Sequence, residues 1–158
     1  NLSDNGEERM TEYRATTRWT RTSSDFTYDT YNRDHEVTFG SGHVVPWSSA
    51  PEFKGNADRV NPEEAFVASL STCHMLTFLA VAARKRFVVE TYLDEAFGVM
   101  ERNDKGKYWV SKVTLRPKVT FSGDHQPSPQ EISALHHAAH ENCFIANSVT
   151  SSVSIDEA

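Results

Sequence analysis

Residues 65–83 run for about five turns of helix with hardly a polar interruption, and any fold of this chain has to cover them. The stretch opens as Asn61-Pro62-Glu63-Glu64-Ala65-Phe66-Val67-Ala68-Ser69-Leu70-Ser71-Thr72-Cys73-His74-Met75. Asparagine caps a helix well, proline suits its first position, and two glutamates complement its positive end. Arg84-Lys85-Arg86 supply cations where the negative end should fall. A helix apolar on nearly every side belongs in the interior of a fold. The run is interrupted by Ser69, Ser71, Thr72, His74 and Thr77 and starts on Pro-Glu-Glu, which reads as a soluble core helix rather than a membrane span.

The rest of the chain reads as strands and one more helix. Residues 13–21 alternate, with Tyr13, Ala15, Thr17 and Trp19 on one face, and predict a strand with one buried side. Residues 26–31 and 35–39 predict two short strands around an Asn32-Arg33-Asp34 turn, and residues 43–47 a further strand after Gly40-Ser41-Gly42. Residues 48–60 hold Pro51, Gly55 and charges without periodicity, which makes a loop. Residues 93–102 and 108–121 alternate about Asn103-Asp104-Lys105-Gly106, a hairpin turn. Ser128-Pro129-Gln130-Glu131 is a capping box, opening a helix to about Asn142 that turns Ile132, Leu135, Ala138 and Ala139 inward. A last strand is expected over residues 148–155. Strands followed by helices without regular alternation predict an α+β fold.

Length allows one domain with a proper core. Residues 1–9 are polar and aperiodic and read as a tail or cloning remnant, leaving residues 10–158 as a single domain. The net charge is -6 and the 16 Lys and Arg are scattered, so neither a nucleic-acid footprint nor a polybasic membrane patch is present in the sequence. No stretch reads as a secretory leader, and two cysteines in 158 residues do not make a disulfide framework. The expected location is the reducing cytoplasm.

Those two cysteines carry most of the chemistry on offer. Cys73 sits within the apolar helix, where a thiol is either inert filler or a buried reagent. An apolar site raises a thiol's pKa, so a reactive Cys73 needs a nearby Arg or Lys. Cys143 follows the second helix in Glu141-Asn142-Cys143-Phe144-Ile145-Ala146-Asn147, where a junction suits a thiol that must move. One cysteine in a core and one at a junction fit a peroxidatic and resolving pair, and two unrelated buried thiols fit the composition nearly as well. A metal reading also exists: His136, His140 and Cys143 fall at i, i+4 and i+7 on one helix face, beside His137. His74 points about 100° away from Cys73 on a helix, a poor position for its base.

The segment from Asn61-Pro62-Glu63-Glu64 to Cys73-His74-Met75, followed some seventy residues later by Cys143-Phe144-Ile145-Ala146-Asn147-Ser148, resembles the OsmC/Ohr family, the osmotically inducible and organic hydroperoxide resistance proteins. The layout matches over residues 13–155, and the two cysteine segments in this order are its specific part. The resemblance implies an OsmC-like fold, with antiparallel sheets around a long buried central helix in an intertwined homodimer. It implies a thiol-dependent peroxidase that reduces organic hydroperoxides and, more weakly, hydrogen peroxide. Cys73 would be the peroxidatic and Cys143 the resolving cysteine, Glu63 the glutamate ten residues before the first, and Arg33 the arginine of an N-terminal hairpin turn. The usual glycines around that arginine are absent here, and Arg18, Arg21 and Arg59 are substitutes. Phe144 stands where many members have proline, and His74 where many have an aromatic.

A thiolate among Phe66, Leu70, Met75 and Leu76 needs a guanidinium against it, and a carboxylate would fix the arginine's fork. Yet ten residues of unbroken helix span about 15 Å, so either the helix breaks between Glu63 and Cys73 or Glu63 serves the partner subunit's thiol, and the second is the preferred expectation. The expected partners are a second copy, an organic hydroperoxide and a dithiol reductant such as a lipoyl group or small thiol. No cofactor, metal, nucleic acid or membrane is expected. Trp47, Phe144 and Ile145 are candidates for apolar substrate walls. Two other functions fit the residues: a small-molecule or lipid binder on the same scaffold without turnover, and a metal-binding protein through His136, His140 and Cys143.

Overall fold

The computed structural model describes residues 11–157, so the predicted tail at residues 1–9 lies outside the described residues. The architecture is mixed α+β, as the element order predicts. Contacts divide the chain into two compact units that meet in sequence between Pro62 and Glu63.

The first unit is a three-stranded antiparallel sheet of β1 (Ala15–Arg18), β2 (His35–Phe39) and β3 (Val44–Trp47), in that order. Val37 sits opposite Thr17 and Val45 and is buried, while every residue of β1 is exposed within the chain. The expected buried face of residues 13–21 is therefore exposed among the described residues. Residues 26–31 do not form the expected strand. Thr27 instead bonds locally: its carbonyl accepts from the N–H groups of Thr30 and Tyr31, and its hydroxyl meets that of Thr30. Such side-chain and turn bonds compete with a strand ladder, and here they win. Asn32 ties the long connection together, with its side chain bonding the backbone of Thr20 and Thr22 and its carbonyl accepting from the Trp19 indole. In the loop after β3, Gly55 leaves room for nothing larger: a Cβ there would lie 1.5 Å from the Ser49 carbonyl oxygen.

In the second unit the central helix α1 spans Pro62–Arg84 without a break. Phe87 donates to the Ala82 carbonyl and Arg86 to that of Ala83, with Arg86 left-handed at φ 64, so the helix ends in a Schellman turn without its usual glycine. Leu70, His74, Phe78 and Ala82 are its buried residues, one stripe at four-residue spacing. The first half of that stripe joins Val113 and Leu115 in one core, and the second half joins Phe87, Leu135 and Ala139 in another. Leu76, on another face, is 59% exposed among the described residues. By length and composition α1 could cross a membrane, properties that a core helix shares.

The expected hairpin is split in two. Strands β4 (Val88–Asp94) and β7 (Pro117–Ser122) pair antiparallel, and β5 (Phe97–Arg102) pairs with β6 (Tyr108–Leu115) in a second sheet. The break is pinned where Asp94 accepts from the Arg116 N–H at 2.6 Å and Arg116 Nε bonds the Glu95 carbonyl. Strand β8 (Ser152–Ile155) is shorter than expected and runs parallel to β6, so the sheets are not all antiparallel. Helix α2 (Pro129–Asn142) carries the predicted capping box, with Ser128 and Glu131 bonding each other's backbone N–H. Leu135 and Ala139 are buried as expected, but His136 is the third buried residue of α2, with Ile132 and Ala138 only half-buried.

Candidate functional site: a thiol pair between two helices

Cys73 lies one residue before His74 of the buried stripe of α1 and is half-buried. Cys143 caps the C-terminus of α2 in an extended conformation, its N–H turned back to the His140 carbonyl at 3.4 Å. It is 1% exposed, and its carbonyl accepts from the Asn147 N–H in the turn that follows. The Cys143 sulfur accepts from the Ala146 N–H at 3.4 Å. Both thiols are free, and Cys73 lies close enough to Cys143 to perturb its ionisation. Burial, and then the neighbouring Cys73 thiol, push the Cys143 thiol above its ordinary pKa, and backbone N–H donors from Ala146 and Ile145 only partly oppose this. Cys143 therefore keeps its proton at neutral pH. The structure brings together the two cysteines that the sequence left seventy residues apart.

The histidines form a second contact between the same helices. His74 Nε2 lies 3.1 Å from His136 Nδ1, with the rings stacked at an interplanar angle of 8°. They are 1% and 3% exposed. Burial, then the neighbouring His136 and His140, depress the His74 pKa from 6.5 to about 4, and burial lowers that of His136 against the pull of Glu157 and Asp94. Both rings are neutral at neutral pH, so one N–H is shared between them. His136 spends its inward nitrogen on His74, not on a metal. Among the described residues no group of three or more His, Cys, Asp or Glu is placed to hold a metal ion, which removes the support for the His136, His140 and Cys143 reading. The sequence missed this pair, although its signal was present: His74 falls in register with Leu70, Phe78 and Ala82, at positions that a helix turns to the core.

Glu63 is half-buried in the first turn of α1, and the continuous helix leaves about 15 Å of rise between it and Cys73. The two are not brought together within one chain. Arg33 belongs to the first unit, in the connection from β1 to β2 rather than in a hairpin turn. Its guanidinium donates to the carbonyls of Tyr31 at 2.7 Å and Tyr28 at 2.5 Å and lies 3.9 Å from the Tyr31 ring centroid. That clamp fixes the fork while leaving its charge in place. Arg59 is committed elsewhere in the same unit, to Asp34 at 3.2 Å and the His35 carbonyl. Of the expected walls, Ile145 packs against the Leu70, Val113 and Leu115 cluster, Phe144 is 81% exposed, and Trp47 has a buried indole N–H without a hydrogen-bond partner among the described residues.

The OsmC-like protein family matches residues 55–158. An OsmC-like protein of unknown function from Vibrio cholerae is 45% identical, with a TM-score of 0.91 over 94% of this chain and 100% of its own. An organic hydroperoxide resistance protein OsmC from Legionella pneumophila shares the fold at 17% identity and a TM-score of 0.67, covering 95% of this chain and 97% of its own. The organic hydroperoxide resistance protein OhrB of Bacillus subtilis does so at 16% identity and a TM-score of 0.65, covering 94% and 98%. No curated protein matches the chain. With two thirds of its length matched by the family and a near-complete structural counterpart, this chain belongs to the OsmC-like family.

Proposed function

We propose that this protein is a cysteine-based peroxidase that reduces organic hydroperoxides, and hydrogen peroxide more weakly, in the cytoplasm. The observation that carries the reading is the contact between Cys73 and a buried, protonated Cys143 in a fold shared with organic hydroperoxide resistance proteins. The Cys73 thiolate attacks the peroxide; an S–O bond forms as the O–O bond breaks, and the alcohol leaves after taking a proton. Cys143 then attacks the sulfenic sulfur, forming the disulfide and releasing water. An external dithiol, such as a lipoyl group or a small thiol, returns both cysteines to the reduced state. A Cys143 that keeps its proton until this step suits the second role, since it leaves Cys73 as the nucleophile.

In this reading Arg33 holds the thiolate and steadies charge on the leaving oxygen, and Glu63 of the partner subunit orients the guanidinium. The homodimer is supported by the uncovered apolar side of α1, where Leu76 is exposed, and by a β1 strand with no buried face. Consumption of cumene hydroperoxide with dithiothreitol or dihydrolipoamide tests the activity. Wild type should turn over and Cys73→Ser should not; equal rates in both would leave a binding protein without turnover as the better account.

A further inference from the structure

We propose that His74 and His136 are positioning residues for the thiol pair: their ring-to-ring hydrogen bond clamps α2 onto α1 and sets the approach at which Cys73 and Cys143 join. This rests on the reading of the two cysteines as a redox pair. The contacts that hold the clamp are all on one seam. Cys73 and His74 are neighbours on α1, while their partners Cys143 and His136 stand seven residues apart on α2, about 10 Å along it. A bond two turns away from Cys143 fixes the line along which its thiol is presented. The Phe78 ring braces the clamp, 4.4 Å from the His136 ring.

Two buried histidines are an odd choice if the seam needs only filling, since aliphatic side chains would fill it without desolvation. What the polar pair adds is a distance restraint. Sliding α2 by more than a hydrogen bond tolerates leaves a buried imidazole nitrogen unpaired and desolvated. Apolar contacts carry no comparable penalty for a small slip. His136 also lines a cavity of about 440 Å³ with Pro117, Lys118, Val119, Ile132 and Glu157.

The test is a thiol–disulfide equilibrium that requires no peroxide. The full chain is equilibrated with mixtures of reduced and oxidised dithiothreitol at neutral pH, and the Cys73–Cys143 disulfide is counted by alkylation and mass spectrometry. In that exchange the two thiols lose two electrons and two protons as the reagent's disulfide becomes its dithiol. Loss of one net hydrogen bond should lower the disulfide equilibrium constant about fivefold in His74→Leu and in His136→Leu. His74→Gln, whose amide nitrogen reaches to a similar place, should return it to within about twofold of wild type. Circular dichroism checks folding, and if His74→Leu does not fold, His136→Leu carries the comparison. Leucine variants that match wild type would overturn the clamp, as would a glutamine variant that falls as far as they do. A wild-type chain that forms no disulfide at any ratio would overturn both the clamp and the peroxidase reading.

Discussion

At the scale of single residues, the site is two sulfurs and two imidazoles held between helices, and each pair responds to a different perturbation. In the proposed cycle the thiols divide their labour by environment, since Cys143 is buried and raised in pKa. Cys143→Ser should therefore stop disulfide formation while leaving a sulfenic acid on Cys73 that a 1,3-dione traps, read as a mass increment on the Cys73 peptide after one equivalent of cumene hydroperoxide. The histidines instead report on pH. His74 has its pKa depressed to about 4 in the fold, so the unfolded chain binds more protons between pH 6.5 and about 4. Its neutral form contributes stability that is full above 6.5 and is lost as pH falls towards 4, up to about 3 kcal/mol for His74. Urea midpoints should fall between neutral pH and about pH 4.5 in wild type and fall less in His74→Gln, whose side chain does not titrate. The cysteines were legible in the sequence because their flanking segments are specific. The histidine bond was not, because it joins residues 62 apart and depends on how two helices pack.

At the scale of elements, the helices were read well and the strands less so. Both helices carry local start signals, and the Ser128 capping box forms as written. Ser128→Ala should cost about 1 kcal/mol by thermal or urea unfolding, since it removes one partner of that box. Phe78 is the side chain that joins the second half of α1 to α2 and to the β4–β7 sheet, through His136, Tyr92 and Phe121. Phe78→Ala should cost about 3–5 kcal/mol and loosen the histidine contact as well. Strand errors have a physical pattern. Alternation reads the period of a strand but not where a sheet ends, so residues 93–102 and 108–121 looked like one hairpin until the Asp94–Arg116 bond divided them. Residues 26–31 have aromatic strand-like composition, yet the Thr30 side chain, bonded to the Thr27 N–H and hydroxyl, closes the backbone into a turn there.

At the scale of the whole molecule, the described residues leave apolar side chains exposed at Leu76 on α1 and at Phe144, which a second copy is proposed to cover. Light scattering should give twice the mass of the 17.8 kDa chain. Glu63 stands about 15 Å along α1 from Cys73, so mixing Cys73→Ser with Glu63→Ala chains should recover part of the peroxidase activity that each variant lacks alone. The central claim is that Cys73 and Cys143 together consume a peroxide. Its most direct measurement is a single turnover: reduced protein is mixed with an equal amount of cumene hydroperoxide, and remaining thiols, remaining peroxide and the Cys73–Cys143 peptide are quantified together. The account predicts that both thiols vanish as the peroxide does and that the disulfide-linked peptide appears in matching amount. Thiols left intact beside unreacted peroxide would contradict it.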